Sequence, residues 1–291
     1  MTSPCLTVAI AFHDDEAHLG AAIRSVLAQT ERDFELLLID DGSSDRSVAV
    51  ARSFLGDRRV QLFADGRRRH LGARLNEALS RARGALFARM DGDDVCHPTR
   101  LARQLVRLEA DPALSAIGSW AALVDENEAA FGVIEASTRA VTAHSLLTRG
   151  LIPHATMVAR TAWLRERGYD EAIAHAEDRD LWCRVGLSSS VGVIDEVLYV
   201  VRVLTRQRTF LPDYLNGQRD LRRILLRYGP RFVGRVETAR LVASSLAKAS
   251  AMRVAHAVGE AERVVRRRGR DVTDAEHDRV REAFAAALQT P

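Results

Sequence analysis

The sequence has one lysine, three cysteines and few aromatic residues, which make up 5% of its 291 positions. The only lysine is Lys248, so no catalytic lysine can lie before it in the chain. Cys5, Cys96 and Cys183 are far apart and form no CxxC pair, which argues against a disulfide framework and against a zinc cluster. Three isolated thiols suit a reducing compartment.

Long hydrophobic runs are also missing. No uninterrupted apolar stretch reaches about 18 residues, the length that a membrane-spanning helix needs. The first residues, MTSPCLTVAIAF, place no basic segment before a short apolar run, so we expect no signal anchor. The sequence therefore predicts a cytoplasmic protein, for which peripheral attachment to the inner face of the plasma membrane is still an option.

Charge divides the chain into two parts. Residues 1–205 carry 24 basic and 29 acidic side chains, a net charge of −5, whereas residues 206–291 carry 18 and 10, a net charge of +8. This difference predicts a main domain over 1–205 and a basic extension over 206–291. We expect the main domain to consist of two halves, at about 1–95 and at about 96–205.

The extension has a helical pattern, with Leu241, Leu246 and Ala249 on one apolar stripe and Val242 and Ser245 between them. Its most basic segment, RVVRRRGR at 263–270, allows several interpretations. It forms a solvated or packing surface, it attracts the acidic main domain, or it docks on an anionic membrane. We do not expect nucleic-acid binding, because aromatic residues do not alternate with the arginines.

Short apolar and helical patterns alternate over the first 90 residues. The apolar runs predict strands at 6–12, 34–40, 59–64 and 85–90. Helices are predicted for HDDEAHLGAAIRSVLAQT, with its acids at the N-terminus, for 45–54, capped by Ser43 or Ser44, and for 73–83. This order is typical of a parallel sheet covered by helices on both faces.

Acidic or polar residues end three of these strands, as His13-Asp14, Asp40-Asp41 and Asp91-Gly92-Asp93. Because ligands of such sheets bind beyond the carboxyl ends of the strands, we expect these residues to meet in one crevice. GxGxxG and GxxxxGK[ST] loops are absent from the first half, so glycine-rich loops do not clamp a phosphate there. Asp91 and Asp93 have the spacing to hold one hard cation that bridges diphosphate oxygens, although a solvated acidic turn is the simpler alternative.

Several segments of the sequence resemble family 2 glycosyltransferases, which have the GT-A fold. They are VAIAFHDDEAHLGAAIRSVLAQTERDFELLLIDDGSSDRS, ALFARMDGDDVCHPTRLARQLVRLEADP, IGSWAALVDENEAAFG, HATMVARTAWLRERGYDE and AEDRDLWCRV. They follow one another in the family's order over about residues 6–202. The resemblance implies a Rossmann-like α/β domain with a mostly parallel central sheet and helices on both faces, followed here by a C-terminal helical extension. It also implies that the half at about 1–95 binds the nucleotide and the half at about 96–205 binds the acceptor.

The resemblance also implies roles for individual residues. Asp178 matches the general base, and Asp93 with Asp91 matches the ligands of a divalent cation, Mg²⁺ or Mn²⁺. The residues implied to contact a UDP- or dTDP-linked sugar are Ala11, His13, Glu16, Asp41, Arg69, His70, Asp91 and Gly92. The candidate residues for contact with a glycan or lipid-linked acceptor are His154, Glu177 and Trp182, and the alternative role of His154 is to bind the backbone of a loop. Leu204 stands where many relatives have a histidine, so one ligand of the metal or diphosphate is absent or comes from the extension.

The chemistry of sugar transfer fits these residues. A cation at Asp93 would accept charge from the departing diphosphate, and Asp178 would accept the proton of the attacking hydroxyl. One base without an enzyme nucleophile implies inversion in a single displacement. The resemblance implies a role in surface polysaccharide or glycoconjugate biosynthesis. Glu177 and Asp178 also suit the N-terminus of a helix, and Trp182 suits a core. The alternatives are a nucleotidyltransferase acting on sugar phosphates and an inactive sugar-nucleotide-binding protein.

Overall fold

The computed structural model describes residues 4–136, 141–185, 188–267 and 269–289. The strands within these residues are β1 (Leu6–Phe12), β2 (Phe34–Asp40), β3 (Val60–Phe63), β4 (Leu86–Asp91), β5 (Val95–Cys96), β6 (Ala116–Val124), β7 (Ala130–Ile134), β8 (Val158–Arg160) and β9 (Val191–Arg202). The helices of the first two thirds are α1 (Leu19–Leu27), α2 (Ser47–Ser53), α3 (His70–Arg81), α4 (Arg100–Ala110), α5 (Ala143–Thr148), α6 (Thr161–Arg167) and α7 (Glu177–Val185). A 3₁₀ turn covers His154–Thr156, and the last helices are α8 (Phe210–Phe232), α9 (Gly234–Ala257), α10 (Ala261–Val265) and α11 (Asp274–Gln289).

All nine strands belong to one sheet with the order β3-β2-β1-β4-β8-β6-β9-β5, and β7 pairs with β6. The four predicted strands, β1 to β4, lie side by side and run parallel. Beyond them the sheet is mixed, since β8 is antiparallel to both β4 and β6, whereas β6 and β9 are parallel. The expected α/β architecture is confirmed, with antiparallel pairs in its second half.

The core lies on both faces of this sheet. Every residue of β1 and β2 is buried, as expected for strands that helices cover on both sides. Apolar residues of α1 and α4 pack on one face, and those of α3, α6 and α7 pack on the other. The buried strands therefore end at a fixed edge of the sheet, where the polar residues that follow them are brought together.

Two predicted helix starts are wrong. The first helix begins at Leu19 and has no acid in its first turn, because Asp14 lies in the preceding loop and accepts hydrogen bonds from Ser44 N (2.6 Å) and Asp45 N (3.2 Å). The second begins at Ser47, and no side chain caps it. The serines predicted as caps bind the loop around Asp14 instead, through contacts that connect residues about 30 positions apart.

The extension packs against the main domain at two places. Helices α8 and α9 form an antiparallel pair that contacts α5 and α7, where Tyr228 Oη donates to the buried carboxylate of Asp180 at 2.8 Å. Helix α11 returns to α1, β5 and β9, and Glu282 on it is 2.8 Å from His97 Nε2. The predicted stripe is only partly correct, because Leu246 is exposed while Ser245 and Ala249 are buried.

The basic segment 263–270 is partly paired with the main domain. Arg266 contacts Asp125 at 2.5 Å, and Arg270 forms an ion pair with Glu135. Arg268 lies outside the described residues. Attraction between the two parts of the chain therefore explains part of the charge difference. Among the described residues, no helix is long and apolar enough to cross a bilayer.

Candidate active site

A cavity of about 930 Å³ opens beyond the carboxyl ends of β1, β2 and β4. Ten of the residues expected in the site line it, namely Ala11, His13, Asp41, His70, Asp91, Gly92, Asp93, His154, Glu177 and Asp178. They come from segments that are distant in the sequence, so the fold alone brings them together. Glu16, Arg69 and Trp182 do not line this cavity.

Asp41 organises one end of the cavity. Its carboxylate accepts hydrogen bonds from Arg69 N (2.7 Å), His70 N (3.1 Å) and Arg74 Nε (3.0 Å). Arg74 is almost fully buried, which makes this ion pair a fixed part of the loop. A carboxylate can accept about four hydrogen bonds, so one acceptor position of Asp41 is left for a ligand. Arg69 therefore contributes its backbone to Asp41 and lies outside the cavity wall.

His13 lies beside this carboxylate. Its Nδ1 is 2.9 Å from the carbonyl oxygen of Asp41, and because a carbonyl only accepts, Nδ1 must carry a proton. Its Nε2 contacts the Arg68 guanidinium and lies 3.3 Å from Asp14 Oδ2. Glu16, which was expected nearby, instead pairs with Arg46 at 3.2 Å on the surface.

The turn Asp91-Gly92-Asp93 forms the second part of the site, together with Asp15, which the sequence analysis did not identify. A β-carbon on Gly92 would lie 2.6 Å from Asp15 Oδ2 and 2.8 Å from Phe12 Cβ, so only glycine fits against this carboxylate. Burial, and then repulsion by Asp93, raises the pKa of Asp15 to about 8. Burial likewise raises the pKa of Asp93.

These carboxylates fit a hard cation. Burial raises the pKa of Asp15 and Asp93, so a bound cation would stabilise their ionised forms, and carboxylate oxygens are the ligands that Mg²⁺ and Mn²⁺ prefer. No group of three or more His, Cys, Asp or Glu side chains within the described ranges forms a complete ligand set. The residues present thus fit a cation held by one or two carboxylates and completed by the oxygens of a bound diphosphate.

Arg202, at the end of β9, supports the same turn and was also not identified from the sequence. Its Nη1 donates to Asp93 O at 2.5 Å, and its backbone N donates to Asp94 Oδ1 at 2.9 Å. The guanidinium also lies 4.9 Å from the ring centroid of Phe284 on α11. Arg202 therefore connects Phe284 of the extension with the acidic turn. It lies two residues before Leu204, where the resemblance indicated a missing histidine.

Asp178 and Glu177 lie at the first turn of α7. Asp178 lines the cavity, and its Oδ1 accepts from Arg179 N at 2.7 Å. Glu177 is buried, and burial raises its pKa. Its Oε1 is 3.4 Å from His154 Nδ1. The helix start thus places both carboxylates at the cavity wall, and Glu177, the more deeply buried of the two, also contacts His154.

His154 connects the two ends of the site. Arg89 Nη1 is 3.2 Å from its Nδ1, and its Nε2 is 2.9 Å from Tyr169 Oη. Arginine only donates, so Nδ1 accepts and Nε2 carries the proton of a neutral imidazole. Burial, and then Arg89, lowers the pKa of His154 to about 3. Because Arg89 also binds Asp91, a continuous set of contacts runs from the acidic turn to Glu177.

Trp182 lies in the core, away from the cavity. It is completely buried with the apolar residues of α3 and α6, and a β-carbon on Gly150 would lie 2.9 Å from its Cδ1. Trp182 is therefore a core residue, which was the alternative to its predicted contact with the acceptor.

The family model described as Glycosyl transferase family 2 matches residues 7–174. The putative glycosyltransferase EpsE of Bacillus subtilis (strain 168) is 31% identical over 209 residues, which cover 69% of this chain and 74% of EpsE. The O-antigen biosynthesis glycosyltransferase WbnJ of Escherichia coli is 30% identical over 186 residues, which cover 62% and 71%.

Two solved structures have a similar fold. S. aureus TarS 1–349 in complex with UDP has a TM-score of 0.58 at 18% identity, over 83% of this chain and 70% of that one. The mannosyltransferase PcManGT from Pyrobaculum calidifontis in complex with GDP-Man and Mn²⁺ has a TM-score of 0.60 at 15% identity, over 99% and 87%. Because the family model covers more than half of the chain, the chain belongs to glycosyl transferase family 2 and is a glycosyltransferase with the GT-A fold.

Proposed function

We propose that this protein is an inverting, metal-dependent glycosyltransferase that moves a sugar from a nucleoside-diphosphate sugar to an acceptor hydroxyl. The supporting observation is that one cavity holds the acidic turn Asp91-Gly92-Asp93 and the carboxylate of Asp178. The chemistry needs these two functions in one place, because the leaving diphosphate and the attacking hydroxyl lie on either side of the same sugar carbon.

The donor that we propose is a UDP- or dTDP-linked sugar. Asp41 has one acceptor position left for a pyrimidine N–H, and Ala11 and His13 line the cavity beside it. His70 follows on the same wall, held by its backbone N–H to Asp41. TarS was solved with UDP and with UDP-GlcNAc, whereas PcManGT was solved with GDP-Man, so a GDP-sugar is the informative comparison in a donor screen.

Asp93, with Asp91, would hold Mg²⁺ or Mn²⁺ against the diphosphate. When bound, such a cation neutralises the negative charge that develops on the leaving diphosphate. Gly92 lets Asp15 approach the turn Asp91-Gly92-Asp93, and Arg202 holds the backbone of this turn by donating a hydrogen bond to Asp93 O. These residues orient the turn, and they keep its carboxylates at the end of β4.

Asp178 would accept the proton of the attacking hydroxyl. Its Oδ1 is held by Arg179 N, and its other oxygen is available to the cavity. Attack by an activated hydroxyl on the anomeric carbon from the side opposite to the diphosphate inverts the configuration in one displacement. We propose a glycan or a lipid-linked glycan as the acceptor, in surface polysaccharide or glycoconjugate biosynthesis, with His154 and Glu177 close to its site.

Asp93→Asn tests the metal site. The substitution should remove most of the donor binding that depends on Mn²⁺ or Mg²⁺ and leave the protein folded, because the turn lies at an edge of the sheet. Thermal stabilisation by UDP-, dTDP- and GDP-linked sugars, with and without metal, measures this binding. Asp271→Asn, an exposed acid in the extension, is the matched control. Wild-type donor binding with the same metal dependence in Asp93→Asn would contradict the proposed site.

Asp178→Asn tests the base. Donor affinity should change little, and sugar transfer should fall by roughly 10²–10⁴-fold, the usual contribution of general base catalysis. Transfer to an acceptor and slow hydrolysis of the donor are both measurable with metal present. If the wild-type protein binds donor but neither transfers nor hydrolyses it, the protein is an inactive binder and the proposed reaction is wrong.

A further inference from the structure

Exposed apolar side chains are concentrated in the extension. Nine large apolar side chains of the described residues are exposed, and seven of them lie after residue 205. These seven are Leu226, Val236, Leu246, Val254, Val258, Val264 and Leu288. The same part of the chain carries the net charge of +8. A surface that is both apolar and basic calls for a physical explanation, because exposed apolar patches usually mark interaction sites.

Helix α9 is apolar on two opposite sides. Its inner side is buried, and Ser245 on it is bound by Gln218 and Arg222 of α8. The residues of its outer side recur at intervals of seven and four positions, so they lie along one line of the helix. This line, which we name the α9 outer face, consists of Val236, Ala243, Ala247, Val254 and Val258, and all five are exposed.

The exposure of the α9 outer face is large. Val236 is 87% exposed, and Val254 and Val258 are 63% and 66% exposed. A helix on the surface of a globular protein normally has polar residues on the side away from the core. The outer face of α9 instead has three valines in water, and no described residue of the chain covers them.

The charged residues around this face are basic. Arg240 lies within it, and Arg235, Lys248 and Arg253 are exposed on its two flanks. None of these flanking residues has an ion-pair partner within the described parts of the chain. The only acid of α9, Glu237, lies within 3.7 Å of Arg240 and 3.5 Å of His144. The face therefore combines apolar residues with unpaired positive charge.

The C-terminal end of α9 is close to the opening of the cavity. The His256 ring lies 6.4 Å from that of Phe210, the first residue of α8, and Met252 is buried in the same cluster. The residues just before α8, Gln207 and Arg208, line the cavity. A surface that binds α9 would therefore lie next to the entrance through which an acceptor reaches the site.

We propose that the α9 outer face docks on the surface of an anionic lipid bilayer. Exposed valines with unpaired basic side chains on their flanks suit such a surface, because burial of apolar area and attraction to anionic lipids both strengthen binding at a membrane interface. Pairing with a second copy of this chain is disfavoured, because a two-fold contact would bring the same positive charges together. This inference goes beyond the proposed reaction, and it holds for a soluble acceptor as well as for a lipid-linked one.

The surface differs from the basic segment 263–270 that the sequence indicated. Arg266 and Arg270 of that segment are engaged by Asp125 and Glu135. They would have to leave these partners in order to bind lipid. The basic residues on the flanks of the α9 outer face are already free to contact phosphate groups.

Co-sedimentation with vesicles tests the proposal on the full-length chain. The protein should bind vesicles rich in phosphatidylglycerol at low salt, bind them less at high salt, and bind phosphatidylcholine vesicles weakly. Replacing Arg235, Lys248 and Arg253 together by serine should weaken binding by about a hundredfold if all three contact the surface. Replacing Val236, Val254 and Val258 together by serine should weaken it by at least about tenfold.

A matched control is Leu55→Ser with Arg58→Ser, which removes one exposed apolar and one exposed basic residue elsewhere on the protein. This control should keep wild-type vesicle binding, and all variants should keep their circular dichroism spectra and their hydrolysis of donor in solution. The proposal is overturned if the wild-type protein ignores phosphatidylglycerol vesicles at low salt. It is also overturned if light scattering shows a dimer that the valine variant converts to a monomer, since the face would then bind a second copy.

Discussion

Lowering the pH from 7 to 5 should destabilise this protein by about 2 kcal/mol through His154. The imidazole is buried beneath the cavity, and its pKa falls to about 3 through burial and the Arg89 guanidinium. Glu177 and Asp178 of α7 and the hydroxyl of Tyr169 are the other titratable groups around it. Both ring nitrogens have partners that suit the neutral form. A second proton on Nδ1 would break the hydrogen bond from Arg89 and add positive charge beside that guanidinium, and this effect outweighs the attraction of Glu177 Oε1 at 3.4 Å.

The sign and size follow from the two pKa values. An unfolded chain binds the proton with a pKa of about 6.5, whereas the folded protein does not bind it until about pH 3. Protonation of His154 therefore favours the unfolded state increasingly as the pH falls from about 6.5 towards 3, and the stability of the folded protein is lost over this range. At pH 5 the unfolded state gains about 2 kcal/mol from protonation of this residue, and at pH 7 it gains only about 0.2 kcal/mol.

Urea unfolding of the wild type and of His154→Gln at pH 7 and pH 5 measures the effect. Glutamine keeps an acceptor for Arg89 and a donor for Tyr169 but does not titrate, so its loss of stability between the two pH values should be about 2 kcal/mol smaller. Glu177 acts in the opposite direction, because its pKa is raised, and the comparison of two proteins separates the two effects. His256→Gln, at an exposed position, should respond like the wild type. Equal pH responses of the wild type and His154→Gln would refute the reasoning.

Two further substitutions test the acidic turn and its support. Gly92→Ala would place a β-carbon 2.6 Å from Asp15 Oδ2. Metal-dependent donor affinity, measured by calorimetry, should therefore fall at least about tenfold. An unchanged affinity would show that the turn tolerates the methyl group. Phe284→Leu removes the ring beside Arg202. It should lower the free energy of unfolding by about 1 kcal/mol and weaken donor binding with Mn²⁺. Phe284→Tyr keeps an aromatic ring and should keep the wild-type stability and donor binding. Loss of donor binding in both Phe284 variants, or in neither, would mean that the ring does not act through Arg202.

The first half of the fold could be predicted because its signals are local. The runs Leu6–Phe12 and Phe34–Asp40 are apolar throughout, and a strand that is buried on both faces needs this composition. The helix starts could not be predicted in the same way. Asp14 has the chemistry of an acid at a helix N-terminus, but its hydrogen bonds go to Ser44 and Asp45, and such a contact becomes visible only when the two loops meet.

The candidate site was predictable where residues follow strands or occur in recognisable segments. Asp41, Asp91 and Asp93 were expected from strand ends, and Asp178 from its resemblance segment, and the structure brings these four to one cavity. Asp15, Arg89 and Arg202 were not expected. Asp15 and Arg202 act through contacts with distant segments, and Arg89, although it lies within a predicted buried strand, joins Asp91 to His154 only once the chain has folded.

The sequence by itself determined the α/β class, the edge of the sheet where a ligand would bind, and the family, because apolar periodicity and short motifs depend on neighbouring residues. Only the tertiary structure decided that His154 is neutral, that Arg202 joins α11 to the acidic turn, and that α9 leaves three valines in water. Burial, hydrogen-bond geometry and the pairing of charges depend on which distant segments come into contact. Those quantities set pKa values and exposed surfaces, and they are fixed only when the chain has packed.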